Sequence, residues 1–465
     1  MEAGILAPLM FSGLVIFLLL GYPVAFALAA NGLLFAGIGI MAGLFDVSLL
    51  HALPERIYGI VANPTLLAIP FFAFMGLILE RSGMAEDLLD TIGQLFGSLR
   101  GGLAYAVILV GGLLAATTGV VAASVIAMGL ISLPVMLRYG YDKRLASGVI
   151  AASGTLAQIV PPSLVLIVLA DQLGASVSAM YKGALIPGLA LVGLYLAYVF
   201  FVTLTRPHAA PALPASARTL RGSALLLRVF TTLLPPLVLI FLVLGTIFLG
   251  VATPTEGGAM GAAGALLLAW ARGRLSRLQL TQAMDSTTRL TTFVVFILIG
   301  STVFTLVFRG LDGDVWVEHL FNQLPGGVLG FLVAVNLLVF VLAFFLDFFE
   351  IAFIAVPLLA PVAARLGIDP IWFGVMLAVN MQTAFMHPPF GFALFYLKSV
   401  APKPIRTADI YWGAIPFLAI QLVMVAVVLA FPQVVLRDAP ADASSVTEIP
   451  VDVDPDAYYL PAEWR

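Results

Sequence analysis

The chain has 465 residues, 62% of them hydrophobic and 10% charged, with a formal net charge of −3 and a mean hydropathy of +1.10. Globular domains are about half apolar and a quarter charged, so this composition excludes water as the main solvent. The absence of cysteine excludes disulfides, thiolate metal sites and thiol nucleophiles, but carries no information on compartment in a membrane protein.

Apolar runs long enough to cross the hydrocarbon core, roughly 20 residues each, extend from Gly4 to Val435. They are continuous rather than alternating, which excludes barrel strands and predicts an all-α integral membrane fold. The first run, Gly4 to Phe45, lacks a basic start and breaks at Gly21, Tyr22 and Pro23, so it reads as two spans and not as a cleaved signal peptide. Further on, two apolar stretches are each too long for one helix. One is interrupted at Ala116-Thr117-Thr118-Gly119 and the other at Leu346-Asp347-Phe348-Phe349-Glu350, and each reads as a re-entrant helical hairpin. A span with two adjacent prolines follows each hairpin. Pro161-Pro162 and Pro388-Pro389 remove backbone donors and free upstream carbonyls, which makes those spans discontinuous.

Between the hairpins lie two arginine-rich connections, Arg206 to Arg228 and Arg272 to Arg289. The spans Phe230 to Leu249 and Thr255 to Ala271 separate them, so both connections face the cytoplasm if Gly250 to Pro254 is a periplasmic turn. Glu256, in Thr253-Pro254-Thr255-Glu256, is read as a helix cap. After Leu436 the chain turns acidic, with Asp438, Asp442, Glu448, Asp452, Asp454, Asp456 and Glu463 against Arg437 and Arg465. That tail is expected to be periplasmic and poorly ordered.

The hairpins belong to an internal repeat. An offset of 227 residues carries Pro134 onto Pro361, Gly140 onto Gly367, Asp142 onto Asp369 and Pro161-Pro162 onto Pro388-Pro389. With shifts of two or three residues, Gly101-Gly102 matches Gly326-Gly327 and Tyr181 to Pro187 matches Tyr411 to Pro416. If hairpin one enters from the cytoplasm, Arg138, Lys143 and Arg144 are cytoplasmic. Continuing the count, hairpin two enters from the periplasm and Lys398, Lys403 and Arg406 return to the cytoplasm. The expected architecture is about ten transmembrane helices plus two opposed re-entrant hairpins, an inverted repeat. Glu86, Asp87 and Asp90 dissent, because they fall on the arginine side.

Opposed hairpin tips and broken helices should meet near the midplane, where freed carbonyls, hydroxyls and helix ends hold a dehydrated cation and an anionic solute. The candidates are Thr117, Thr118 and Gly119 at tip one, with Ser153, Gly154, Thr155 and Gln158 in its broken span. The second repeat offers Asp347 at its tip with Asn380, Gln382, Thr383 and His387. A carboxylate in an apolar stretch costs several kcal/mol unless paired, protonated or ion-bound, which makes Asp347 the sharpest candidate. Its alternative is a helix-capping carboxylate, with Glu350 as a protonated partner or a second cavity group. Membrane hydroxyls taken singly pack or bond a preceding carbonyl, and Asn380 is equally suited to bridging two helices. His387 is suited to proton relay or carboxylate contact, and equally to a structural bond.

No Gly-x-x-x-x-Gly-Lys phosphate loop is present, the four histidines His51, His208, His319 and His387 lack metal-ligand spacing, and no basic patch points to nucleic acid. Neither an enzyme nor an organic cofactor is expected.

Taken together, Asn63-Pro64-Thr65 with Ile69-Pro70-Phe71-Phe72, Gly154 through Ser163, Thr253 through Glu256, Gly367-Ile368-Asp369-Pro370 and Pro388-Pro389-Phe390-Gly391 resemble the large membrane subunit of the tripartite ATP-independent periplasmic (TRAP) transporters. The resemblance covers nearly the whole chain. It implies an elevator-type transporter of the bacterial inner membrane, driven by sodium and importing an organic acid. It also implies two partners, a small four-helix membrane subunit on a separate chain and a periplasmic solute-binding protein. The implied sodium sites involve Thr118, Gly119, Ser153, Thr155, Asp347, Asn380 and Thr383, and the implied solute cavity Thr117, Thr118, Gln158, Asn380, Gln382 and His387. Residues 1–98, 188–323 and 412–436 would form the scaffold, 99–187 and 324–411 the two transport repeats, and 437–465 the tail. The competing readings are a stand-alone sodium- or proton-coupled carboxylate carrier and a non-transporting membrane scaffold.

Overall fold

The computed structural model describes residues 3–118, 121–322 and 325–437, and among these every regular element is helical. Helices α1 (Ala3–Leu19) and α2 (Val24–Met41) part at the Gly21-Tyr22-Pro23 break read from the sequence. A 3₁₀ turn leads into α3 (Leu53–Val61), then α4 (Ala68–Arg81) and α5 (Met84–Leu95). These last two are bent by 61° at a break where Gly83 takes a left-handed φ of 71°.

Hairpin one comprises α6 (Gly102–Thr118) and α7 (Val121–Arg138), and its broken span comprises α8 (Lys143–Thr155) and α9 (Leu164–Gln172), followed by α10 (Val177–Thr205). Then come α11 (Gly222–Phe248), α12 (Pro254–Ala271), α13 (Arg277–Gly310) and α14 (Gly313–Asn322). The second repeat runs through α15 (Gly327–Leu342), α16 (Phe348–Arg365), α17 (Pro370–Thr383) and α18 (Phe392–Val400); α19 (Thr407–Ala430) follows, and the short α20 (Gln433–Leu436) ends the described chain. The acidic residues from Asp438 onward and the tip residue Gly119 lie outside the described residues.

Among the described residues, seven helices are long and apolar enough to span a membrane, or eight if the bent α4–α5 pair is one span. Two of the seven, α7 and α16, are hairpin arms. The broken spans escape a criterion of length because each is two short pieces around a proline pair. Large side chains such as Phe230, Phe241, Leu249 and Trp270 stand exposed on the outer helices, as expected of a surface solvated by lipid.

The two repeats match in detail. Asp142 caps α8 by accepting hydrogen bonds from Arg144 N and Leu145 N, both at 3.0 Å, and Asp369 caps α17 by accepting from Ile371 N and Trp372 N at 2.8 and 3.0 Å. Both proline pairs contain a cis peptide bond. The short helix after each break packs into the other repeat: α9 against α16 and α17, and α18 against α7 and α8. Reciprocal exchange of this kind is what a two-fold relation between the repeats requires. Thr155 and Gln382, which are equivalent under the 227-residue offset, are hydrogen-bonded to each other at 3.1 Å and so sit on that axis.

The dissenting acidic segment is also accounted for. Asp87 lies 3.3 Å from Arg228, 3.8 Å from Arg272 and 2.9 Å from Arg274, so the start of α5 shares one end of the bundle with both arginine-rich connections. At the opposite turn, Thr253 and Glu256 form the reciprocal capping box expected of that sequence.

Small residues let the helices approach closely. A methyl group added to Gly413 of α19 would lie 2.1 Å from the Arg144 carbonyl oxygen at the start of α8, whereas one added to Gly37 meets nothing within 4 Å. Overpacking costs about 1–3 kcal/mol. Gly413→Ala is therefore expected to lower the melting temperature of the detergent-solubilised chain measurably, while Gly37→Ala leaves it unchanged; equal melting temperatures would contradict the packing described.

Candidate functional site

Hairpin two turns where Asp347, in extended backbone, ends the link from α15 and starts α16. Its Oδ1 accepts from Glu350 N at 2.8 Å, and Glu350 Oε2 accepts from Asp347 N at 2.8 Å. This is a complete capping box, so the capping alternative for Asp347 is realised. The box engages one oxygen of each carboxylate and leaves Asp347 Oδ2 and Glu350 Oε1 outside it.

Both carboxylates also line a cavity of about 290 Å³. The wall is otherwise apolar and aromatic, with Tyr396 as its hydroxyl, and Asp347 and Glu350 are its charged residues. The lining includes Val121, Leu164, Phe348 and Phe392, which are the first residues of α7, α9, α16 and α18. Four helix N-termini, two from each repeat, therefore converge on one space. Each carries about half a positive charge from its helix dipole, and neither α9 nor α18 has a side-chain cap. A cavity of this construction can hold an anion at the helix ends and a cation at the carboxylates.

Among the described residues, Ser153, Thr155, Gln158, Asn380, Gln382, Thr383 and His387 are buried and none of them lines this cavity. Ser153 Oγ donates to Val149 O at 2.6 Å and Thr383 Oγ1 to Asn380 O at 2.7 Å, each satisfied within its own helix. Asn380 donates to the carbonyl and side-chain oxygens of Asn336 in α15 at 2.8 and 2.9 Å, the helix-bridging role foreseen as its alternative. Thr155 is the hub of a buried cluster, its Oγ1 receiving Gln382 Nε2 at 3.1 Å and Gln421 Nε2 at 3.3 Å, while Gln421 also donates to Tyr195 at 2.9 Å. Gln158 is fully buried with both amide atoms unpaired. His387 is buried against the rings of Phe340 and Phe344, at centroid distances of 4.9 and 4.0 Å. Thr117, Thr118 and Gly119 lie at tip one, where neither the first two side chains nor Gly119 is among the described features.

Sequence reasoning missed Asn336, Gln421, Tyr195 and Tyr396. Asn336 and Gln421 carried a usable signal, since each is an amide inside an apolar helix. That hairpin tips and broken-helix ends meet was expected from the sequence, but which four helix starts share the cavity was not, because that depends on the exchange of short helices between repeats. Among the described residues, no group of three or more His, Cys, Asp or Glu side chains converges as a metal site.

Comparison with known proteins places this architecture. The family model described as "Tripartite ATP-independent periplasmic transporter, DctM component" matches residues 11–434. The C4-dicarboxylate TRAP transporter large permease protein DctM of Pseudomonas aeruginosa is 32% identical over 84% of this chain and 90% of its own length. The sialic acid TRAP transporter large permease protein SiaM of Vibrio cholerae is 29% identical over 87% of this chain and 95% of its own. Among solved structures, the YdaH transporter of Alcanivorax borkumensis superposes with a TM-score of 0.58 at 16% identity, covering 90% of this chain and 97% of that one, which is a likeness of fold alone. The chain belongs to the TRAP transporter family as a DctM component and is a multi-pass membrane protein, and the relatives named here are permeases.

The cap and the cavity make separable demands on Asp347. Asparagine caps a helix about as well as aspartate, whereas alanine costs about 1 kcal/mol. Thermal unfolding should therefore place Asp347→Asn close to the unsubstituted chain and Asp347→Ala below it. Equal loss in both would show that charge, not capping, stabilises this tip.

Proposed function

We propose that this large permease subunit imports an organic acid by sodium symport, taking up its solute from a periplasmic binding protein in partnership with a small four-helix membrane subunit on a separate chain. The reading is carried by one observation: four helix N-termini and two carboxylates share a single cavity between the opposed hairpins. The N-termini favour the carboxylate of a solute, and the large permeases it resembles are named for C4-dicarboxylates and sialic acid.

Asp347 and Glu350 give this arrangement its coupling. While they are ionised they repel a second anion from the same low-dielectric space, where like charges a few ångströms apart cost several kcal/mol. A hard monovalent cation on their free oxygens removes that repulsion, so sodium binds first and the organic acid second. The Asn380–Asn336 pair and the Thr155–Gln382 bond hold the broken helices at the register that brings their ends to the cavity, and Ser153, Thr383 and Gln158 act from that buried layer. His387 packs behind tip two.

In this reading residues 99–187 and 324–411 move as a transport unit against a scaffold of residues 1–98, 188–323 and 412–436, in a bacterial inner membrane with the tail on the periplasmic side. Bonds crossing that boundary include Asn63 Nδ2 to Asp171 Oδ1 at 2.6 Å, Ser301 to the Phe353 carbonyl, and Arg365 to Glu318. An elevator movement breaks them.

Two measurements test the reading. In proteoliposomes containing both membrane subunits and the binding protein, a panel of organic acids should yield uptake under an inward sodium gradient, falling at least about tenfold in Asp347→Asn. Uptake driven equally by a proton gradient without sodium would assign the proton-coupled alternative, and no uptake of any acid would favour a scaffold. The natural absence of cysteine also allows a single engineered pair. Oxidised Asn63→Cys/Asp171→Cys should be transport-dead and recover on reduction, whereas undiminished uptake in the cross-linked chain would refute movement at this boundary.

A further inference from the structure

Away from the central cavity, three arginines surround one aspartate where α5 and α11 begin and α12 ends. Arg228, Arg272 and Arg274 share Asp87, which leaves two positive charges unmatched. Glu86 and Asp90, the nearest other carboxylates in sequence, line a different cavity together with Leu103 and Tyr139. Together the four residues line an open cavity of about 250 Å³ with Thr231 and Thr232. The arginines are held in place: Arg274 Nη1 donates to the carbonyls of Ser82 and Gly83 at 3.3 and 3.2 Å, and Arg272 Nη2 to that of Thr231 at 2.8 Å. Arg228 and Arg274 nonetheless keep 45% and 42% of their side chains exposed, so their remaining donors face outward.

The surroundings specify what the unmatched charge would meet. Leu227, Phe230 and Leu234 form an exposed stripe on α11, within two turns of Arg228. Leu267 and Trp270 are exposed on the last turn of α12, next to Arg272. A basic cavity bordered by lipid-facing apolar side chains and an interfacial tryptophan lies at headgroup depth, on the side where positive charge collects. A free anion would use the arginines and leave the stripe unused, whereas a phospholipid uses both.

We propose that this cavity is a binding site for an anionic phospholipid, with the phosphodiester on Arg228, Arg272 and Arg274 and the acyl chains along Leu227, Phe230, Leu234, Leu267 and Trp270. Arginine suits the phosphate because its planar fork gives two parallel hydrogen bonds. A zwitterionic headgroup gains less, since its ammonium meets only Asp87, already shared by three guanidinium groups. The site is independent of the transport cavity and fastens three segments, the α4–α5 bend, the start of α11 and the α12–α13 turn, at one membrane face.

Native mass spectrometry of the delipidated full chain tests this, with phosphatidylglycerol and phosphatidylcholine of the same acyl chains as probes. Phosphatidylglycerol is expected to bind about tenfold more tightly, and the preference to disappear in Arg228→Gln/Arg274→Gln. Because Arg274 also ties down the α4–α5 bend, Arg228→Gln alone serves as a second variant. Its polar partner here is Asp87, so it should fold normally and lose several-fold of the preference. Asp87→Asn, which removes the competing carboxylate, should strengthen phosphatidylglycerol binding, the opposite of what a purely structural cluster would give. Equal binding of the two lipids, or a preference unchanged in Arg228→Gln, would overturn the proposal. So would displacement of the lipid by inorganic phosphate at equal concentration, which would mark a free-anion site, or a co-purifying polypeptide that occupies this face and excludes lipid.

Discussion

Hydrocarbon offers a peptide group no hydrogen bonds, so wherever a helix stops at membrane depth the protein itself has to cover the exposed backbone. Among the described residues of the two repeats, helices stop at the two hairpin tips and at the two proline pairs. The remainder of the transport repeats can be read as the solution to that problem. Each short helix beyond a proline pair is delivered into the opposite repeat, where the hairpin and the first half of the broken span cover it. The same exchange gathers the starts of α7, α9, α16 and α18 around one cavity. A cost imposed by the solvent thereby becomes a concentration of helix ends, the property a binding site for charged solutes needs.

The two carboxylates at this site show how one residue meets a structural and an electrostatic requirement together. Asp347 and Glu350 satisfy each other's backbone N–H groups, which keeps the first turn of α16 intact beside an aromatic wall. The capping box engages a single oxygen of each, and both residues line the cavity. Cap and ligand are not alternatives here. The capping geometry is what holds the charges in place.

Polar groups elsewhere in the repeats serve register. Thr155, Gln382, Gln421 and Tyr195 form a buried cluster at the two-fold axis, and Asn380 with Asn336 fastens α17 to α15. Buried amides of this kind are costly if they slip out of register, so they pin the broken helices against sliding. At the opposite scale, Asp87 and its three arginines gather segments from three places in the chain, so one residue of the acidic segment that disagreed with the charge pattern is a counter-ion to it.

What the amino-acid sequence determined by itself was everything encoded locally or by repetition. Hydropathy set the solvent, proline pairs marked the breaks, the 227-residue offset exposed the repeat, and the isolated carboxylate in Leu346-Asp347-Phe348 marked the second tip. Thr253 before Glu256 announced a cap that the structure contains. Only the tertiary structure decided which polar residues face the cavity. Ser153, Thr383 and Asn380 are each polar in an apolar helix, and their hydrogen bonds to Val149, Asn380 and Asn336 were not legible there, because the direction of a side chain around its helix depends on neighbours from distant segments. That hairpin tips and broken helices meet was legible in the repeat, but which four helix N-termini share the cavity was not, since that arises from the crossing of α9 and α18 between repeats, and a pattern read along one chain carries no record of which half a short helix will enter.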